Sequence, residues 1–208
     1  MFSERSRMTA TVLIAHPYKK SFNHALFERV CNTLRMNNIT LYAHDLHEEN
    51  FDPVITVDEL GKAETRDPLV KKYARELIDS DILIFIHPNW WGQPPAIMKG
   101  YIDRVIRPPY AYYFSENDSG GGIPEGGLTG KGAIVFNTSN TEASRENNFF
   151  GDPLENIWKQ CVFAFCGIPQ STRRIFRIVA DSTEAQRKGW LDEAEHIVLS
   201  EIERRREA

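Results

Sequence analysis

The chain has 208 residues, 41% of them apolar, enough to build one compact domain with a sizeable core over residues 1–208. Its formal net charge of −4 gives no electrostatic case for nucleic-acid binding, and no stretch approaches the roughly 20 apolar residues that span a bilayer. Met1 to Arg7 is charged and leads into no apolar, cleavable segment, so a cytoplasmic location without membrane insertion is expected. Cys31, Cys161 and Cys166 are an odd, scattered set inside apolar patterns, which points to buried free thiols rather than a disulfide framework.

In chain order, strand and helix signals alternate. Residues 9–15 form an apolar run that reads as a first buried strand, and His16 to Lys20 as a loop. Ser21 can cap a helix from Phe22 to about Asn37, with Ala25, Leu26, Val30, Cys31 and Leu34 facing inward. Ile39 to Asp45 is a second strand, and Glu48 to Thr65 a polar connection. Asp67-Pro68 opens a helix with Leu69, Val70, Tyr73, Leu77 and Ile78 on one side. Ile82 to Ile86 is a third strand, apolar on both faces, and Pro94-Pro95 pre-set the first turn of a helix to about Ile106.

Arg107 to Gly130 is long and irregular, holding Tyr110, Tyr112, Tyr113 and Phe114 before Gly120-Gly121-Gly122 and Gly126-Gly127. Ala133 to Asn137 is a fourth strand, and Asn137 to Gly151 a polar loop. Asp152-Pro153 begins a helix that Gly167 and Pro169 stop after Cys166, Ser171 to Val179 is a fifth strand, and Ser182-Thr183 caps a terminal helix. Five strands alternating with five helices define an α/β, doubly wound parallel sheet. Such sheets bind ligands at the carboxyl ends of their strands.

Two loops fall at that edge. The first offers His16, Ser21 and Asn23 around a helix amino terminus, where a hydroxyl, an amide and free backbone N–H groups favour an anion. The second, after Pro88, carries Asn89, Trp90, Trp91 and Gly92. Two adjacent tryptophans there either cover a flat ligand or anchor the loop in the core. The segment Gly127-Leu-Thr-Gly130-Lys131-Gly132 is not a phosphate loop, because Glu125 stands where the first glycine belongs and Gly132 replaces Ser/Thr. His44-x-x-His47 with Glu48 and Glu49 lacks a third His or Cys nearby and reads as polar residues on the surface rather than a metal site. No Gly-x-Ser-x-Gly elbow is present.

His16-x-x-x-x-Ser21-Phe22-Asn23, then Pro88-Asn-Trp-Trp-Gly-x-Pro-Pro-Ala-Ile-Met-Lys-Gly-Tyr101 with Asp103-Arg104-Val105, together resemble the flavodoxin-like NAD(P)H:quinone oxidoreductase family. This is the DT-diaphorase-like group, with bacterial quinone reductases and flavoprotein ancillary subunits of potassium efflux systems. The resemblance implies strand order 2-1-3-4-5 and a non-covalent FMN, or alternatively FAD. Its phosphate would lie on His16, Ser21, Phe22 and Asn23. Its ring would lie against Pro88, Asn89, Trp90, Trp91 and Gly92 and the loop Asn137, Thr138, Ser139 and Asn140.

NADPH or NADH would be the electron donor and a quinone or other small molecule the acceptor, both using one slot walled by Trp91. A symmetric homodimer is also implied, with Tyr112 and Phe114 of one chain closing the slot of the other. Members of the family place a Tyr and a His after the fourth strand where this chain has Ser144 and Phe150, and paired glycines where it has Ser139-Asn140. No general acid or base is therefore assigned. The rival readings are a flavin-bearing regulatory subunit of a membrane transporter and a one-electron carrier.

Overall fold

The computed structural model describes residues 7–60, 64–114 and 124–207. Five parallel strands, β1 (Thr9–Ile14), β2 (Thr40–Asp45), β3 (Ile82–Pro88), β6 (Gly132–Ser139) and β7 (Thr172–Arg177), lie in the order β2-β1-β3-β6-β7. The separate pair β4 (Tyr112–Tyr113) and β5 (Glu125–Gly126) is a short antiparallel hairpin within the stretch expected to be irregular; Gly120-Gly121-Gly122 lies outside the described residues, as do Met1 to Ser6. The five long strands reproduce the expected flavodoxin-like order, with this hairpin inserted between the third and fourth of them.

Apolar residues on both faces of β1 and β3 bury the sheet between two helical layers. Val12, Ile14, Ile84 and Ile86 pack with α1 (Phe22–Met36) and α6 (Glu184–Glu207). Leu13, Phe85 and Val135 pack on the other side with α2 (Pro68–Asp79) and α3 (Ala96–Val105). Gly100 lets α3 lie on the preceding loop, because a Cβ there would sit 2.3 Å from the backbone of Pro53. The crossover order brings the ends of β1 and β3 together, with Ile14 opposite Ile86 and Pro88 opposite Thr138 of β6. That is the switch point where the two motif loops meet.

A buried ion cluster fastens α3 to the loop that precedes α2. Arg104, 2% exposed, donates from Nε and Nη2 to the two carboxylate oxygens of Glu59, each at 2.9 Å. Its Nη2 also reaches Asp67, the N-cap of α2, at 2.9 Å, and its Nη1 reaches the carbonyl of Asp52 at 2.6 Å. Burial alone would raise the Glu59 carboxyl, but the Arg104 fork and the Thr65 hydroxyl outweigh it and hold the group down at about 2.

Several boundaries and faces differ from expectation. The polar stretch after β6 is helical, with α4 (Ala143–Arg145) running into a π-helical turn, Glu146–Phe150. The next helix begins as α5 (Pro153–Asn156) and widens to π geometry over Ile157–Ala164. Cys31 and Cys166 are buried and burial pushes both thiols up to about 12, but Cys161 is exposed because the widened helix turns it outward. Ile78 is 42% exposed and Ala25 only half-buried, each at the margin of its helix's apolar face. His44 is not the surface residue expected: it is buried, with Nδ1 facing Glu49 at 2.7 Å and Nε2 facing Glu76 at 2.6 Å. Among the described residues no group of His, Cys, Asp and Glu could hold a metal ion, and no helix is long and apolar enough to cross a membrane.

Candidate functional site

At the end of β1 the chain turns through His16 and enters α1 at Ser21, an extended N-cap whose Oγ accepts from the His24 amide at 3.3 Å. The first amides of a helix have no partner inside it, and those of Phe22 and Asn23 find none elsewhere among the described residues. Asn23 is buried; its Nδ2 donates to Thr138 Oγ1 at 2.9 Å, while its Oδ1 has no partner. Ser21 Oγ lies 3.0 Å from His24 Nδ1, and His24 Nε2 lies 3.0 Å from Asp45. Burial, and then the neighbouring His24, hold His16 below the usual imidazole range. Free amides, an uncommitted amide oxygen and imidazoles at a helix amino end form a site for an oxyanion with a hydroxyl attached.

The second loop is a tight turn. Trp90 and Gln93 exchange backbone hydrogen bonds of 3.1 and 3.0 Å, and between them Trp91 and Gly92 both sit in the left-handed region, at φ 59° and 69°. That is the pattern of a type I′ turn. A tryptophan there is strained by about 1–3 kcal/mol, and the turn is held by Asn89, whose Oδ1 accepts from the Gly92 amide at 2.9 Å. The result is an outward ring: Trp91 is fully exposed and Trp90 45% exposed. The core-anchor reading of the tryptophans is thus overturned. Trp90 stands 6.1 Å from the His16 ring, so the two loops share one site.

Beside Trp91 opens a cavity of about 690 Å³, walled by Trp91, Phe149, Phe150 and Pro153, with Arg145 and Glu146 as its charged groups. Glu146 carried no signal in the sequence, where it is one acid in a polar stretch. In the fold it is 2% exposed; its Oε2 accepts from Asn89 Nδ2 at 3.1 Å and its Oε1 has no partner. Glu146 therefore steadies Asn89, and through it the tryptophan turn. Ser144, the position matching the family's tyrosine, is exposed on α4, and Phe150 lies in the cavity wall.

The third expected contact region is placed differently. Asn137, Thr138 and Ser139 end β6 instead of forming a loop, and only Asn140 lies beyond the strand. The Asn137 side chain is fully buried, with Nδ2 3.0 Å from His87 Nε2 and Oδ1 accepting from Arg173 Nε at 2.7 Å. His87 Nε2 also accepts from Trp158 Nε1 at 2.9 Å, and burial lowers this imidazole to about 4, so it is neutral. Asn137 thus braces the sheet end from below, and Asn140 holds the Ala180 amide. Tyr112 and Phe114 are not brought to this cavity within the chain: Tyr112 packs on Phe165 at 4.9 Å and on Phe114 at 6.0 Å, beside the end of α3.

Fold and site together define a flavodoxin-like protein. The chain belongs to the flavodoxin-like fold family, whose model matches residues 8–198. It is 26% identical to an NAD(P)H oxidoreductase of Haemophilus influenzae that carries no further characterisation, over 89% of this chain and 91% of that one. It is 28% identical to the mouse ribosyldihydronicotinamide dehydrogenase [quinone], covering 85% and 84% of the two chains. The crystal structure of Smu.1420 from Streptococcus mutans superposes with a TM-score of 0.80 at 28% identity, over 92% and 98% of the chains. The protein is an oxidoreductase of this family.

Proposed function

We propose that the protein is a flavin-dependent NAD(P)H:quinone oxidoreductase, with FMN as its cofactor and a cytoplasmic location in keeping with its three free cysteines. The observation that carries this reading is the meeting of an anion-binding helix end with a fully exposed Trp91 over an apolar cavity. The residues fit the group: the unpaired Asn23 Oδ1 and the open amides of Phe22 and Asn23 suit a phosphate and its sugar, and the tryptophan turn offers surface for a flat ring. When bound, the flavin would supply two-electron hydride chemistry between NAD(P)H and the acceptor. The chain's own part is positioning. Ser21, Phe22 and Asn23 hold the phosphate end, Pro88 to Gly92 set the face of the slot, and Trp91, Phe150 and Pro153 exclude water from it.

One cavity serves donor and acceptor in this reading, so they must take turns. Initial rates should give parallel double-reciprocal lines, and excess quinone should compete with NAD(P)H. Intersecting lines, which report a ternary complex, would contradict a shared slot. Steady turnover by the purified chain alone separates the enzyme from a transporter subunit.

The active unit is proposed to be a two-fold dimer, because Tyr112 and Phe114 lie away from their own chain's cavity and are free to close a partner's. A Tyr112→Ala chain mixed with a Trp91→Ala chain should recover activity through one intact site per heterodimer. A monomer in sedimentation, or no recovery on exchange, would end this assignment.

A further inference from the structure

A second cavity, of about 440 Å³, lies on the other side of the segment 143–150, between it and the edge strand β7. β7 lines it with Arg173, Arg174, Ile175 and Arg177, opposite Ala143 and Asn147 and the carboxylates of Asp152 and Glu155. Three buried polar atoms there have no partner: Nη2 of Arg173, Nη1 of Arg177 and Oδ1 of Asp152. Arg173, with a side chain 2% exposed, spends its Nη1 on Asp152 and Glu155, both at 2.9 Å. Arg174 is neutralised by Glu193 at 2.6 Å. The Arg177 side chain has no ion pair or hydrogen bond among the described residues, which makes it the uncompensated cation of the cavity.

Leaving charged donors buried and unpaired is costly, and the cost is relieved by a ligand that pairs them. Two guanidinium groups beside one carboxylate oxygen call for a group that accepts from the first two and donates to the third. A phosphate monoester on a ribose does both: its oxygens match the guanidinium forks, and a neighbouring hydroxyl donates to Asp152 Oδ1. The segment 143–150 separates this cavity from the one under Trp91, with Ala143 and Asn147 lining one and Arg145, Glu146, Phe149 and Phe150 the other. We propose that the Arg173–Arg177 cavity is a phosphate site that takes the 2′-phosphate-bearing ribose of the hydride donor, so that NADPH is preferred over NADH. The identity of this ligand rests on the proposed function; the phosphate site itself rests on the cavity.

The test is calorimetric titration of the flavin-loaded protein with adenosine 2′,5′-bisphosphate, adenosine 5′-monophosphate and inorganic phosphate. Wild type is compared with Arg177→Gln, which removes an unpaired charge, and with Ala143→Glu, which adds a carboxylate at an exposed position on the facing wall. The bisphosphate should bind wild type about 10-fold or more tightly than the monophosphate, and both variants should erase that advantage. The ratio of kcat/KM for NADPH over NADH should fall by the same factor. Binding of inorganic phosphate that both variants abolish, without any advantage for the bisphosphate, would overturn the donor assignment and give the site to free phosphate. Equal binding of every probe by all three proteins would overturn the site. Because the titrations need no turnover, a protein that reduces no quinone yet shows the bisphosphate advantage would fail as a quinone reductase and keep its phosphate site.

Discussion

Ser21→Asp should weaken FMN binding by about 10- to 100-fold while leaving the apoprotein folded. Aspartate is as good an N-cap as serine, so its carboxylate can accept from the His24 amide as the hydroxyl does, and α1 keeps its start. What changes is the charge at the phosphate end. A carboxylate a few ångströms from a phosphate opposes it by several kcal/mol at an effective dielectric near 20. Solvent and salt at the open end of the loop screen part of that repulsion, which brings the expected loss down to the stated range. Flavin titration of the apoprotein by fluorescence quenching measures it. Undiminished affinity with an unchanged melting temperature would place the phosphate elsewhere.

Arg104→Ala should cost about 3–5 kcal/mol of stability, since it strands buried carboxylates that the guanidinium now pairs. For a chain of this length that is a fall of about 10 °C in Tm. The acid limb of stability carries the signature of the same cluster. Glu59 is held at about 2 against an ordinary 4.5, so the folded state binds fewer protons than the unfolded one between those values. Its contribution is therefore complete above pH 4.5 and is lost as the pH falls towards 2. Denaturant midpoints measured across that window should fall steeply in the native chain and less so in Arg104→Ala. Parallel pH profiles would mean that the Arg104–Glu59 pair contributes nothing net. Arg104→Lys should fall between the two, because an ammonium keeps the charge but cannot span both oxygens of Glu59.

The parts of the fold that could be read from sequence are those where one physical demand dominates. Residues 9–15 and 82–86 are apolar on both faces because helices cover both, and a continuous run of that kind has few other uses. Ser21 and Asp67-Pro68 mark helix starts because the cap chemistry is local. The stretch 143–150 was illegible because its helical turn is held by tertiary contacts, among them the bond from Asn89 to Glu146, and not by an apolar stripe. Cys161 misled for a related reason: π geometry over Ile157–Ala164 shifts the phase of a pattern that an α-helix would bury. Of the site, the two motif loops were visible as residue types at a strand end. Glu146, Arg173 and His87 were not, since a buried polar group looks like a surface one until its partners across the sheet are known.

The visible absorption spectrum of the purified protein tests the central claim most directly. The helix end at Ser21 to Asn23 and the exposed tryptophan turn predict a yellow protein with the two bands of oxidised flavin, bleached on adding NAD(P)H without air and restored by quinone. Heat should release one FMN per chain, identified by its mass. A colourless protein that takes up neither FMN nor FAD when supplied would contradict the account.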